Sequence, residues 1–294
     1  MRQPDSTEDR HAGTVDIDTW EPQAAIEAIL TEDLAGVRAA LAVSGELASL
    51  VEQAHARIRS GGRIHYFGAG ASGRLAFLDA TESRPTFGVE GLFAAHFPGG
   101  PDALLDSSID REDAEASGAE DAGALTSDDV AIGVTASGST AYVRGALAEA
   151  RRRGAYTALI AHRAGATLSN SVDLAIEAAT GPEALTGSTR LKAGTTTKVL
   201  INAFSTALMM RAGRTWSNLM VQMVATNSKL DERAVQILAM ATGCPGEECG
   251  KVLTACAGEL PVALTAMLTG ATPEASRRAL AAGGGVRDAV QSLS

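Results

Sequence analysis

Apolar positions follow two spacings along this chain. Residues 21–41, EPQAAIEAILTEDLAGVRAAL, and 45–60, GELASLVEQAHARIRS, read as helices, the second stopped by Gly61-Gly62. Five short β-rich runs follow: RIHYFGA (63–69), GLFAAHF (91–97), DVAIGVTA (129–136), AYTALIAH (155–162) and DLAIEAA (173–179). Stretches of helical length separate them, so the expectation is an α/β fold with a parallel sheet and right-handed crossovers. A long apolar helix is predicted over 193–212, where INAFSTALMM reads as core or as a subunit interface. From about Leu230 the pattern changes to short helices punctuated by Gly243, Pro245, Pro261, Gly270, Pro273 and Gly283 to Gly285. The expected organisation is a flexible tail over 1–20, a ligand-binding domain over 21–229 and a small helical subdomain over 230–294.

Composition narrows the possibilities. A hydrophobic content of 45% over 294 residues supports a substantial core. A net charge of -10 with no basic stripe argues against nucleic acid, so an anionic ligand must be small and held by local donors. The N-terminal stretch MRQPDSTEDRHAG is polar, which predicts neither a signal peptide nor a membrane anchor and a cytoplasmic location. Cys244, Cys249 and Cys256 have no nearby His to complete a zinc site and read as small buried side chains in helices; neither a metal nor a cofactor is called for.

In parallel sheets of this kind ligands bind beyond the carboxyl ends of the strands. Two loops there are unusual: GAGASGR (68–74) after the first strand and TASGST (135–140) after the third. GAGASG satisfies the dinucleotide pattern G-x-G-x-x-G, but the second strand ends in Ala95-His96-Phe97-Pro98, without the carboxylate that would hold a ribose. Ser72 in the first loop, and Thr135, Ser137, Ser139 and Thr140 in the second, suit a phosphate monoester instead. For any one of these hydroxyls the simpler reading is a helix N-cap. Four together after an apolar strand favour phosphate.

These loops resemble the sugar isomerase (SIS) fold, which binds phosphosugars. With DATES-x-PTFGV (79–89), GPEALTGSTRLKAGTTTK (181–198) and NLMVQMVATN (218–227), the whole chain resembles the N-acetylmuramic acid 6-phosphate etherase family. That resemblance implies an SIS domain followed by a UBA-like helical subdomain, a homodimer, and a carbon-oxygen lyase in amino sugar metabolism and peptidoglycan recycling. Such an enzyme cleaves the D-lactyl ether at C3 by elimination and then hydration. By the same resemblance Glu82 is the acid that protonates the departing oxygen, and Glu112 is the second catalytic glutamate. Glu112 stands among Asp110, Asp113 and Glu115, so a shift of one residue would move that role. At the end of an apolar helix, Glu82 is expected to be desolvated, with a raised pKa.

The expected substrate and phosphate contacts are Ser72, Gly73, Ser137, Ser139, Thr140, Glu183, Ser188, Arg190 and Lys192, with Thr186 in the same segment. Arg190 and Lys192 could equally be surface residues at a helix start. The chain departs from the family at Ser83-Arg84 (usually Cys-Pro), Ser139 (usually Arg), Ala141 (usually Pro), His162-Arg163-Ala164-Gly165 (usually Cys-Asn-Pro-Gly) and Gln222 (usually Asp). Two alternatives stay open: an SIS-fold isomerase or lyase acting on another phosphosugar, and a non-catalytic phosphosugar sensor.

Overall fold

A computed structural model describes residues 6–106, 111–223 and 228–294. The chain divides into two compact units, Met1–Thr81 with Gly91–Ser205, and Glu82–Glu90 with Thr206–Ser294. The helical unit thus begins well before Leu230 and takes in the 82–90 segment as well.

The first unit holds a five-stranded parallel sheet: β1 (Ile64–Gly68), β2 (Phe93–His96), β3 (Val130–Thr135), β4 (Tyr156–Ala161) and β5 (Leu174–Glu177), in the order β2-β1-β3-β4-β5. Each strand falls inside one of the five apolar runs. The helices of this unit are α1 (Pro22–Ala42), α2 (Ser44–Arg59), the start of α3 (Gly70–Phe87), α4 (Pro101–Leu105), α5 (Glu115–Asp121), α6 (Ala141–Arg152) and most of α7 (Lys192–Arg211). β1 and β3 are buried along their whole length, as expected of strands covered on both faces. On one face Phe67 packs with Tyr142, Val143, Ala146 and Leu147 of α6. On the other, Tyr66 meets Phe204 of α7 edge-on and donates its hydroxyl to Asp79 of α3 at 3.0 Å.

Asp79 is buried and also accepts from Asn202 Nδ2 (2.6 Å) and Ser205 Oγ (2.8 Å), so one carboxylate ties β1, α3 and α7 together. Burial pushes its pKa up, and the three donors oppose that rise.

Residues 6–20, read from sequence as a tail, form turns and two short 3-10 helices, Ala12–Thr14 and Ile17–Thr19. Thr14 is buried and donates to the Ala184 carbonyl at 2.8 Å. α1 carries its apolar residues outward: Ile26, Leu30, Leu34, Val37 and Leu41 are 38–73% exposed and recur at helical spacing. Phe77 and Leu78 of α3 are exposed too. α7 is mainly core, with Leu200, Ile201, Phe204, Leu208 and Met209 buried and Met210 exposed.

The second unit packs α8 (Ser228–Thr242), α9 (Gly246–Ala255), α10 (Leu260–Thr269), α11 (Pro273–Ala281) and α12 (Gly285–Leu293) around Val221, Leu238, Leu253, Val262 and Val286. Cys249 and Cys256 are buried in this core, and Cys244 lies at its margin in the α8–α9 turn. Among the described residues no single helix is long and apolar enough to cross a membrane.

Close approach through glycine places the functional loops. A Cβ on Gly73 would lie 2.3 Å from the Gly68 carbonyl oxygen and 2.6 Å from Phe97, so α3 starts hard against β1. Gly118 of α5 and Gly145 of α6 likewise let those helices approach backbone to backbone: a Cβ on either would lie 2.0 Å from Tyr142 O and Glu115 O respectively. Gly73→Ala is therefore expected to destabilise the fold by about 1–3 kcal/mol in denaturant unfolding, because backbone and an aromatic ring must move. Gly250→Ala, whose Cβ would meet only Val235 at 4.0 Å, should be neutral or slightly stabilising in α9. Equal effects of the two substitutions would contradict this reading.

Candidate active site

The strand order places the reversal of chain direction across the sheet between β1 and β3, where open parallel sheets bind ligands. Gly68 pairs with Val134, so the loops after β1 and β3 leave the sheet side by side. Each loop opens a helix. In α3 the N–H groups of residues 70–72 precede the first helical bond, Gly73 N to Ala69 O. Ser72, half-buried, stands in that first turn. Gly73 is buried in the contact with β1, so it shapes the loop by having no side chain rather than by offering one.

In the second loop Thr140 occupies the N-cap position of α6, yet its side chain does not cap the helix. The N-cap reading of these hydroxyls therefore fails at the one position best placed for it. Thr140 Oγ1 instead donates to Glu112 Oε1 at 3.1 Å and lies 2.8 Å from Thr135 Oγ1. A carboxylate can only accept, so the proton order runs from Thr135 to Thr140 to Glu112. Ser139 Oγ donates to Ser137 Oγ at 3.0 Å, and Ser137 Oγ also accepts from Ser139 N at 3.3 Å. Gly138, at φ 69°, makes the tight bend that gathers these hydroxyls before the helix start.

Glu112 is fixed by its backbone as well, because its carbonyl accepts from Tyr142 N at 3.0 Å in the first turn of α6. Its acidic neighbours are placed differently. Glu115 is paired with Arg144 through bonds of 3.0 and 2.6 Å, and Asp110 lies outside the described residues. Of the described carboxylates in this stretch, Glu112 is the one bonded to the hydroxyl turn.

Other sequence candidates are placed otherwise than expected. Glu82 does not end its helix: α3 continues through Pro85 to Phe87, and Glu82 is exposed rather than desolvated. Ten positions separate it from Ser72 on the same helix, about 15 Å along the axis. Glu183 is fully buried and accepts from Lys192 N and Ala193 N, both at 2.9 Å, which caps α7. Burial raises its pKa, opposed by those two N–H donors. Lys192 is not a surface residue; it is 2% exposed, with its Nζ 2.5 Å from Glu32 Oε2 on α1. Ser188 is half-buried, whereas Thr186 and Arg190 are exposed in the segment leading into α7.

Two features escaped sequence reasoning. Arg74, the last residue of GAGASGR, donates to the carbonyls of Leu104 (2.9 Å) and Ala103 (3.1 Å), closing the end of α4. Its position four residues into a helix signals nothing about a partner thirty residues away. His162 is fully buried, with Nε2 2.6 Å from Thr197 Oγ1 on α7, and burial brings its pKa down to about 4, so it is neutral at pH 7. A polar residue immediately after an apolar strand was the available signal.

The sequence matches the glucokinase regulatory protein N-terminal SIS domain over residues 46–151 and the SIS domain over residues 112–207. In fold it is similar to a phosphoheptose isomerase from Francisella tularensis (TM-score 0.50, 16% identity, 65% of this chain and 100% of that one). It is likewise similar to a putative phosphosugar isomerase involved in capsule formation from Bacteroides fragilis (TM-score 0.50, 19% identity, 65% and 91%). Along the sequence it is 48% identical to the N-acetylmuramic acid 6-phosphate etherase of Thermobifida fusca over 264 residues, covering 90% of this chain and 87% of that protein. Etherases of Rubrobacter xylanophilus (41%; 96% and 92% covered) and Deinococcus radiodurans (40%; 98% and 95% covered) match over nearly their whole lengths. With this identity sustained across both units, the chain belongs to the N-acetylmuramic acid 6-phosphate etherase family.

Proposed function

We propose that this protein is a lyase that cleaves the D-lactyl ether of N-acetylmuramic acid 6-phosphate, giving N-acetylglucosamine 6-phosphate and D-lactate in the cytoplasmic recycling of peptidoglycan. The observation that carries the reading is the bond from Thr140 to Glu112, which sets a carboxylate against a hydroxyl-rich turn at the sheet's switch point. The 6-phosphate takes the first N–H groups of α3 together with Ser72, Ser137 and Ser139. Opening of the sugar ring exposes an aldehyde at C1, which acidifies the proton on C2. Glu112 takes that proton, the C3–O bond breaks with protonation of the departing lactate oxygen, and water then adds across the double bond. Glu183 and Lys192 contribute by fixing the start of α7, with the charge of Lys192 taken up by Glu32.

Glu82 is the proposed acid, and a second copy brings it to the site. Its separation from Ser72 along α3 exceeds the length of a hexose phosphate, and it is exposed, ready for a partner to cover. The outward apolar residues of α1, with Phe77 and Leu78 on α3, support a homodimer. Enclosure by the partner would then desolvate the carboxyl, which the single chain leaves in water.

Three outcomes follow. Glu82→Gln should lower kcat by about 100- to 10,000-fold while leaving substrate affinity nearly intact, because the amide keeps the shape but has no proton to transfer. Lactate release read by a coupled assay checks this, and a variant keeping more than about a tenth of wild-type kcat removes Glu82 from the role. Mixing the inactive Glu82→Gln and Glu112→Gln proteins under subunit exchange should restore up to about a quarter of wild-type activity, because half the dimers are mixed and each has one intact site. No recovery, with exchange verified, would place both glutamates of a site on one chain. Ser137→Ala should weaken N-acetylglucosamine 6-phosphate by about 1.5–3 kcal/mol in calorimetry and spare the unphosphorylated sugar. Equal weakening of both would make the turn a scaffold only, and a calorimetric signal with NAD would revive the dinucleotide reading.

A further inference from the structure

We infer that Thr135 is a positioning residue for the elimination: acting through Thr140, it fixes the direction in which the Glu112 carboxylate meets the sugar. The inference rests on the reading above, in which Glu112 takes the proton from C2. Thr135 ends β3 with 2% of its surface exposed, which leaves it little to offer a ligand directly. Glu112, by contrast, is exposed and lies in a turn three residues before α5. A carboxylate in that setting turns about its side-chain bonds unless it is held. The start of α6 holds it at both ends: Tyr142 N donates to its carbonyl at 3.0 Å and Thr140 Oγ1 to its Oε1 at 3.1 Å.

Thr135 decides where the Thr140 proton goes. That hydroxyl has one proton and two partners within reach, Glu112 at 3.1 Å and Thr135 Oγ1 at 2.8 Å. The Thr135 oxygen already accepts from Gly138 N at 3.3 Å and lies 3.4 Å from Ser137 Oγ. Ser137 accepts from both Ser139 N and Ser139 Oγ, so its own proton is left to give. With its lone pairs met by Gly138 and Ser137, Thr135 donates to Thr140, and the Thr140 proton is kept for Glu112. A β-branched side chain on a buried strand is also stiff about χ1, which presets the direction of that bond.

Depth sorts the four hydroxyls of this turn into two tasks. Ser139 is exposed and Ser137 half-buried, which suits contact with a ligand; Thr135 and Thr140 are buried and stand behind Glu112. A base displaced by about 1 Å loses on the order of 100-fold in rate. Removing the Thr135 hydroxyl is therefore expected to act on the chemical step and not on the hold on phosphate.

The test uses the full-length wild type, Thr135→Val, Thr135→Ser and Thr140→Val. Lactate release from N-acetylmuramic acid 6-phosphate reads kcat, and calorimetry with N-acetylglucosamine 6-phosphate reads whether the turn itself has moved. Both valine variants should lower kcat by about 10- to 100-fold while Kd stays within about twofold of wild type. Thr135→Ser keeps the proton and should recover most of the lost rate. Wild-type kcat in either valine variant, a loss of kcat matched by an equal loss of affinity, or no recovery with serine would overturn the inference. Should Thr135→Val not fold, Thr140→Val and Thr140→Ser carry the same comparison. If the wild type releases no lactate, the etherase reading fails, and exchange of deuterium from heavy water into C2 of N-acetylglucosamine 6-phosphate reads proton removal by itself. The valine variants should slow that exchange by the same factor; an unchanged rate, or a wild type that exchanges nothing, overturns the inference.

Discussion

α3 approaches β1 so closely that no side chain fits between Gly73 and the Gly68 carbonyl, and this fixes where the first helix N-terminus stands. Because Gly68 is in register with Val134, the same contact sets the height at which the second loop must meet a ligand. Asp79, two turns further along α3, secures the arrangement by joining Tyr66, Asn202 and Ser205 through one buried carboxylate. Two helix N-termini, each with its first N–H groups free of helical acceptors, are thereby held at one edge of a rigid sheet. An anion can be bound there by backbone dipoles in a protein whose net charge would otherwise repel it.

The chemistry is added to that frame by short-range contacts. Thr140 gives up helix capping in order to join Thr135 to Glu112, and α5 and α6 meet through glycines so that the segment carrying Glu112 reaches the first turn of α6. Basic residues are few and mostly committed: Lys192 to Glu32, Arg144 to Glu115, Arg74 to the end of α4. The loop after β4 folds onto the hydroxyl turn through His162 N to Ala136 O and Leu168 N to Gly138 O.

Much of the fold was legible because it depends on local pattern. The five strands, the two loops and the helix that follows GPEALTGSTRLK were all set out by apolar runs and glycine placement. What could not be read were pairings between distant segments. Lys192 reads as a substrate contact or a helix-start surface residue, and its partner Glu32 stands 160 positions away in the chain. Glu183 is a ligand-contact candidate by sequence, and nothing in the sequence shows that its two carboxylate oxygens also meet the N–H groups of α7. Glu82 is expected at the end of an apolar helix; α3 instead runs on through Pro85 to Phe87, and the carboxylate is exposed. In the acidic stretch 110–115 the resemblance implies Glu112, with a one-residue shift left open, and among the described residues Glu112 is the one bonded to Thr140.

The central claim is that Glu112, seated against the hydroxyl turn, removes the proton from C2 before the ether bond breaks. Turnover of N-acetylmuramic acid 6-phosphate in heavy water, with the sugar product analysed by mass spectrometry and NMR, tests it most directly. The account predicts D-lactate together with N-acetylglucosamine 6-phosphate carrying one deuterium at C2, and no exchange at C2 of the substrate with Glu112→Gln. Lactate released with hydrogen retained at C2, or a ketose product in its place, would contradict the account.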